Sequence, residues 1–351
     1  MRAAVLYEPK TDLRICQLPV PDPSYGQVLV KIHYAGLCHS QLMEIKGLRG
    51  HDPYLPHLLG HEGSGVVEKT GPGVTKVRKG DRVVLTWIKT QGEDPGGFVY
   101  QSDSGVVNSG PVTTFSDYSL VSENRLVKIS DDIPMELAWL FGCALLTGCG
   151  IINNIVRPPP GSNMAIFGLG GIGTSALMAA KAFHPGLLIG IDIEEAKLKQ
   201  ALDLGATHII NSRDGEPLKK ISELTKGRGL DFAIETSGLC KVIEDAFSAV
   251  RRQGGKVIFA SHPAHGQKIS IDPYELICGK QITGTWGGDA DPEKDAPMLS
   301  ELYNNGHLPL EKLRLKRFTL DEINEAFLAL ESRNYTRVYI DMMNEERPYE
   351  L

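Results

Sequence analysis

The chain has 351 residues, 42% of them hydrophobic and 23% charged, with a formal net charge of −6. This is the make-up of a soluble globular protein, long enough for two domains that each bury a core. The acidic balance and the lack of Lys/Arg clusters exclude a nucleic-acid partner, and six irregularly spaced cysteines are too few for a disulfide scaffold, so reduced thiols and a cytoplasmic setting are expected.

The first residues, MRAAVLYEPK, hold one short apolar run followed by charges and predict no secretory leader. From there to about residue 130 the pattern is β-rich. Residues 28–36 alternate as a strand does, 65–69 and 81–87 are further strands, and Gly/Pro turns separate them. Residues 91–111 (QGEDPGGFVYQSDSGVVNSGP) are polar and glycine-rich, which predicts a long surface loop. Residues 137–156 (LAWLFGCALLTGCGIINNIV) could span a membrane by length, but glycines, Thr147 and the Asn153-Asn154 pair interrupt them. A buried helix running into a turn and a second helical piece fits better, with Pro134 in the first helical turn, and no membrane segment is expected.

Arg157-PPPG-161 is a stiff connector. After it, strands and helices alternate: strand 164–167, helix 174–183, strand 187–191, helix 194–204, then a strand near 208–210. Helix 217–226, strand 231–235, helix 241–251, strand 256–260 and a last strand near 281–285 follow. Such alternation predicts an α/β fold with a doubly wound parallel sheet. The tail from about 287 carries one amphipathic helix, 320–332, and a final strand, 337–342.

The first strand of that series runs into GLGGIG, with Gly168, Gly170 and Gly173 at G-x-G-x-x-G spacing and Gly171 and Ile172 between them. The first glycine allows the tight turn, the second lets backbone approach a pyrophosphate, and the third lets helix pack on strand. The helix N-terminus offers unpaired N–H groups to phosphates. Asp192 closes the second strand 19 residues after Gly173 (192 − 173), where a carboxylate meets the ribose hydroxyls of NAD. Lys197 follows, within reach of the same ribose or simply solvated on its helix. Strand, glycine turn, helix and acid together make a dinucleotide site.

Three further segments set a metal-ligating side chain beside glycine: GLCHSQ with Cys38, GHEGSG with His61, and GCALLTG with Cys143. Two thiolates and an imidazole suit Zn²⁺. By spacing alone, two buried thiols and a satisfied histidine remain the alternative, because no local ligand signature such as C-x-x-C is present.

With these motifs in this order, the whole chain resembles the zinc-dependent alcohol dehydrogenases of the medium-chain dehydrogenase/reductase superfamily. The resemblance implies a GroES-like catalytic domain of residues 1–146 and 287–351 and a Rossmann domain of residues 147–286. It further implies that Cys38, His61 and Cys143 hold a catalytic zinc, with Glu62 as the acidic neighbour that supports or briefly ligates it. Ser40 would contact the alcohol hydroxyl, and His39 and Arg337 the cofactor phosphates. Thr147 would contribute to the cofactor site, and Trp87 an aromatic wall of the substrate pocket.

Departures from the family's pattern are equally specific. No cysteine lies between Cys38 and Cys143, so the four-cysteine lobe of a structural zinc is expected to be absent, its place taken by residues 91–111. Gln41 stands where an acid often orients the zinc histidine, and Met43 where some members have a relay histidine. The implied activity is hydride transfer between an alcohol, or its aldehyde or ketone, and NAD, in a cytoplasmic homo-oligomer (dimer or tetramer). A polyol, sugar or aminocyclitol dehydrogenase is the nearest alternative, and a zinc-free quinone or enone reductase a more distant one.

Overall fold

The computed structural model describes residues 1–102 and 105–343. Its parallel sheet has six strands, in the order His208–Asn211, Leu187–Asp192, Asn163–Phe167, Phe232–Glu235, Lys256–Phe259, Gln281–Gly284. Strand order therefore reverses between Asn163–Phe167 and Phe232–Glu235, and the crevice beyond their carboxyl ends is where such sheets take ligands. The unbroken apolar run 164–167 within strand Asn163–Phe167 follows from burial on both faces. Met164 and Ile166 enter one core while Ala165 and Phe167 enter the other. Helix Gly171–Lys181 starts three residues earlier than the alternation suggested, directly at the glycine turn. Helix Glu195–Leu204 stops where Gly205 turns left-handed (φ 116°).

Two other sheets form the remainder. The larger runs Leu126–Lys128, Arg82–Thr86, Glu62–Thr70, Gln27–Leu37, Arg337–Asp341, Leu315–Phe318, with Tyr118–Ser122 also on Gln27–Leu37. The C-terminal strand thus returns to the N-terminal part of the chain, Val338 opposite Leu37. The smaller sheet orders Arg14–Gln17, Arg2–Leu6, His57–Leu58, Gly105–Ser109, Phe98–Ser102.

Its last two strands correct the expectation of a loop at 91–111. Phe98–Ser102 and Gly105–Ser109 pair antiparallel as a hairpin. Tyr100 and Val107 are each 1% exposed and pack with Ala3, Val5, Leu18 and Leu58. The alternation is too short, and too crowded by Gly and Ser, to stand out in the sequence.

The buried helix, turn and second helical piece expected over residues 137–156 are present. Helix Ala144–Gly150 continues into a wider π-type coil, Ile151–Val156, and ends at Arg157 in the left-handed region (φ 44°). The turn lies at Cys143 (φ −150°, ψ −77°), where the apolar stretch bends by 55°. Among the described residues no single helix is long and apolar enough to cross a membrane. The tail holds a second helix, Pro292–Asn304, opened by the Asp291 side chain accepting from the Glu293 N–H. Its polar composition and internal Pro297 hid it from a periodicity reading.

Candidate active site

Three chain breaks converge on one point. Cys38 sits between strand Gln27–Leu37 and helix His39–Ile45, His61 precedes strand Glu62–Thr70, and Cys143 lies at the helical bend. The two strands are paired (Tyr34 opposite Ser64, Ala35 opposite Gly63), which brings their ends together. Donor atoms of Cys38, His61, Glu62 and Cys143 all lie within 4.8 Å of one another. Glycine is required close by for space: a side chain at Gly142 would come within 2.8 Å of the Glu62 Cβ, and one at Gly36 within 2.8 Å of its carboxyl carbon.

The cluster is electrostatically unfinished. His61 Nε2 and Glu62 Oε2 are buried and have no hydrogen-bond partner. The Cys38 thiol is held well below its ordinary pKa, first by its hydrogen bond with Cys143, while that bond together with burial pushes Cys143 up. Burial disfavours charge on His61, but the Cys38 thiolate outweighs it and raises the imidazole's pKa. Orphaned buried nitrogen and oxygen atoms beside two thiols are what a divalent soft-to-borderline cation satisfies, so the donor set fits Zn²⁺. Gln41 ties two donors together: its Oε1 accepts from the Cys38 N–H (2.8 Å) and its Nε2 faces His61 Nδ1 (2.9 Å). Trp87 Nε1 donates to Cys143 Sγ at 3.2 Å.

The glycine turn lies across the crevice. A side chain at Gly173 would run into the Gly168 carbonyl, so that position is closed by helix–strand packing. Gly170, in contrast, has nothing within 4 Å of where a Cβ would sit, leaving its backbone open to a ligand. Gly168 turns left-handed at φ 89°. Asp192 accepts from the N–H groups of Leu169, Ile193 and Glu194 at 2.7–3.0 Å, which fixes its carboxylate at the strand end. Lys197 is 7% exposed, and burial lowers its pKa against the pull of Asp192.

Arg337 joins the two halves of the site. Its Nη2 donates to Glu62 Oε1, its guanidinium lies 5.1 Å from the Trp139 ring, and its Cδ is 2.5 Å from where a Cβ on Gly171 would be. The metal-donor cluster and the dinucleotide turn are thus one arginine apart. Thr147, with a buried unpartnered Oγ1, lies on the helix whose Gly148 packs against Ile172 and Ser175. His39 is exposed on the first turn of its helix, and the neighbouring Ser40 has a buried, unpartnered Oγ.

Known proteins were compared with this arrangement. The family profile described as "Alcohol dehydrogenase GroES-like domain" matches residues 24–131, and that described as "Zinc-binding dehydrogenase" matches residues 171–304. An S-(hydroxymethyl)glutathione dehydrogenase of Synechocystis is 33% identical over 93% of this chain and 95% of its own. The chain belongs to the zinc-dependent alcohol dehydrogenases. Its fold, a GroES-like part and a Rossmann-like parallel sheet, is that of benzyl alcohol dehydrogenase from Acinetobacter calcoaceticus (32% identity, TM-score 0.88, 97% of this chain and 98% of the other). An alcohol dehydrogenase zinc-binding domain protein of Burkholderia ambifaria superposes equally well (31% identity, TM-score 0.89, 98% and 99%). The chain is accordingly an oxidoreductase acting on alcohols, in a family that uses NAD and zinc.

In this alcohol dehydrogenase some site residues escaped the sequence reading. Trp139 left no signal beyond membership of an apolar run. Glu235 ends the strand beside the switch point, a position the βαβ pattern could have flagged. Its Oε1 accepts from the N–H groups of Ser237 and Gly238 and from the Ser237 hydroxyl, while Oε2 is buried and unpartnered.

Burial pushes the Glu235 carboxyl up to about 7. The folded state therefore binds its proton more tightly than the unfolded chain does. The protein loses stability from this group as pH rises from the ordinary carboxylate value through about 7, by about 3 kcal/mol in all. Glu235→Gln keeps the Oε1 acceptor and removes the titration. Urea unfolding at pH 5.5 and 8 should show the variant gaining on the native enzyme at the higher pH, and parallel pH profiles would refute this.

Proposed function

We propose that residues 1–146 and 287–351 form the catalytic unit and residues 147–286 the NAD-binding unit, and that the enzyme oxidises small alcohols with NAD at a single zinc held by Cys38, His61 and Cys143. The observation that carries this is the buried, unpartnered His61 Nε2 beside two thiols, one arginine away from an open glycine turn. Glu62 balances the guanidinium of Arg337 and stands ready as a fourth donor. What the bound groups supply is polarisation of the alcohol oxygen by zinc and a hydride acceptor in the nicotinamide.

The chain's own residues do the rest. Gly168, Gly170, Gly171, Ile172 and Gly173 cradle the pyrophosphate, with Arg337 adding positive charge and the His39 ring a hydrogen bond. Asp192 and Lys197 hold the ribose, and Thr147 lies toward the nicotinamide end. Trp87 walls the substrate against the donor cluster. Ser40 Oγ, buried without a partner, accepts the hydroxyl proton of the alcohol. Met43 cannot carry that proton onward, so it leaves to water or to a ribose hydroxyl.

No second zinc is expected: the segment after Trp87 holds no cysteine, and in it strands Phe98–Ser102 and Gly105–Ser109 pair instead. A zinc-free enone reductase would have no use for the donor cluster, and a polyol, sugar or aminocyclitol dehydrogenase stays second. Homo-oligomerisation is supported by the open edge of strand Gln281–Gly284, next to Tyr274 (57% exposed) and Ile277 (81%). Six free cysteines favour the cytoplasm.

Cofactor choice tests the nucleotide half. A 2′-phosphate entering this site meets Asp192 and Glu194 together. Arg213, which the sequence placed far from both, already pairs with Glu194 at 2.6 Å, so the two charges offset each other and the repulsion rests on Asp192. In an assay of NADH or NADPH formation over a panel of alcohols and polyols, kcat/KM with NAD should exceed that with NADP. Asp192→Gly should narrow the gap by about tenfold or more, since one carboxylate's repulsion is removed. Equal use of both cofactors by the native enzyme would contradict the assignment.

A further inference from the structure

Three rings lead outward from the donor cluster. His61 and Trp87 lie edge to face with centroids 6.4 Å apart, and Trp87 and Trp286 do the same at 5.0 Å and 88°. Trp87 is fixed at its inner end by the N–H it gives to Cys143 Sγ. Its outer end rests on the Gly287 backbone, where a Cβ would come 3.3 Å from the indole and 3.0 Å from Ile88. Gly287 (φ 69°) and Gly288 (φ 72°) make the turn that presents Trp286. That indole touches an ordered neighbour along one edge and is still 78% exposed.

We propose that Trp87 and Trp286 are the two walls of an aromatic subsite, and that the preferred substrates are primary alcohols with a planar ring close to the hydroxyl, the benzylic class. This rests on the alcohol dehydrogenase reading above. A substrate whose hydroxyl lies at the donor cluster would run along Trp87, which touches Cys143 Sγ at one end, and a ring on its outer side would meet Trp286, 5.0 Å from Trp87 between centroids. Edge-to-face indoles present flat, electron-rich faces that attract an aromatic ring. They serve a polyol poorly, because the Trp87 N–H is already committed to Cys143 and the hydroxyls would lose water without gaining partners. The occupant is argued from continuity: the exposed indole is the outer member of a ring series that begins at a metal donor.

The test compares native enzyme, Trp286→Ala and Trp286→Phe, each with its zinc content measured. Two readouts are taken: kcat/KM for benzyl alcohol and for 1-propanol, and the affinity of the NADH complex for N-benzylformamide, an unreactive stand-in for the aromatic aldehyde, by NADH fluorescence. Trp286→Ala should lower the benzyl-to-propyl ratio by about tenfold or more, mainly through KM, and weaken N-benzylformamide alike, while the Phe variant retains most of both. Equal losses on the two alcohols, or none, would overturn the proposal. A change of subunit number with an unaltered ratio would also overturn it and give the indole to a second copy of the chain. A native enzyme that is zinc-loaded, binds NADH and is idle on every alcohol would defeat the underlying reading and this one with it. Activity on alcohols without ring preference defeats this one alone.

Discussion

Ser40→Ala should lose about 10²–10⁴ in turnover, the usual contribution of one positioned acid–base group, while zinc content and NADH affinity stay near the native values. The expectation follows from the state of its hydroxyl. Ser40 Oγ is buried and unpartnered, and an oxygen removed from water without a hydrogen bond is costly unless a ligand completes it. Its neighbours do not need it: the Cys38 N–H is already accepted by Gln41 Oε1, and the first turn of helix His39–Ile45 is closed by that contact. Removing the hydroxyl should therefore leave the donor cluster standing and act on the chemical step. Turnover, bound zinc and NADH binding measured on one preparation decide the matter. Near-native turnover would take Ser40 out of the mechanism, and lost zinc would make it structural.

Arg337→Ala should cost about 3–5 kcal/mol of stability, the penalty for stripping one partner from a buried pair, and should weaken NADH binding as well. Arg337 is 5% exposed and Glu62 is 0% exposed, so the carboxylate left behind would have neither water nor its guanidinium partner. Burial alone would strip charge from both; it raises the Glu62 pKa, and it is the pair that keeps Arg337 charged. The double variant Glu62→Gln/Arg337→Met should recover much of the stability and none of the NADH affinity, since the guanidinium over Gly171 is still missing. Urea unfolding at matched zinc content gives the first quantity, and NADH fluorescence the second. A single variant as stable as the native protein would show that solvent reaches the pair.

What the sequence could and could not yield divides along physical lines. The doubly wound sheet was legible because a strand buried on both faces, such as residues 164–167, must be apolar throughout, and because a glycine turn follows it. Glycines beside Cys38, His61 and Cys143 marked them only as candidates; the family resemblance named them as a set with Glu62, and the structure brings their donors within 4.8 Å. The paired strands Phe98–Ser102 and Gly105–Ser109 were not legible, because their burial depends on a core made by residues 1–18 and 58, far away in the chain. Helix Pro292–Asn304 was missed for a related reason: it buries Ala296 and Leu299 but few other positions, too narrow a stripe to show as a period. Arg213 illustrates the limit best. It is 19 residues from Glu194 (213 − 194), yet the parallel pairing of Leu187–Asp192 with His208–Asn211 sets their side chains together. Trp286 and Trp87, 199 residues apart (286 − 87), meet only because the chain leaves the parallel sheet beside the metal donors.

The central claim is that one buried Cys₂His cluster holds the metal on which alcohol oxidation depends. Elemental analysis of purified enzyme, with NADH formation from an alcohol followed on the same samples before and after chelation, tests it most directly. One zinc per chain, lost together with activity and restored together on adding zinc, is the result predicted. Alcohol oxidation that survives complete removal of zinc would contradict it.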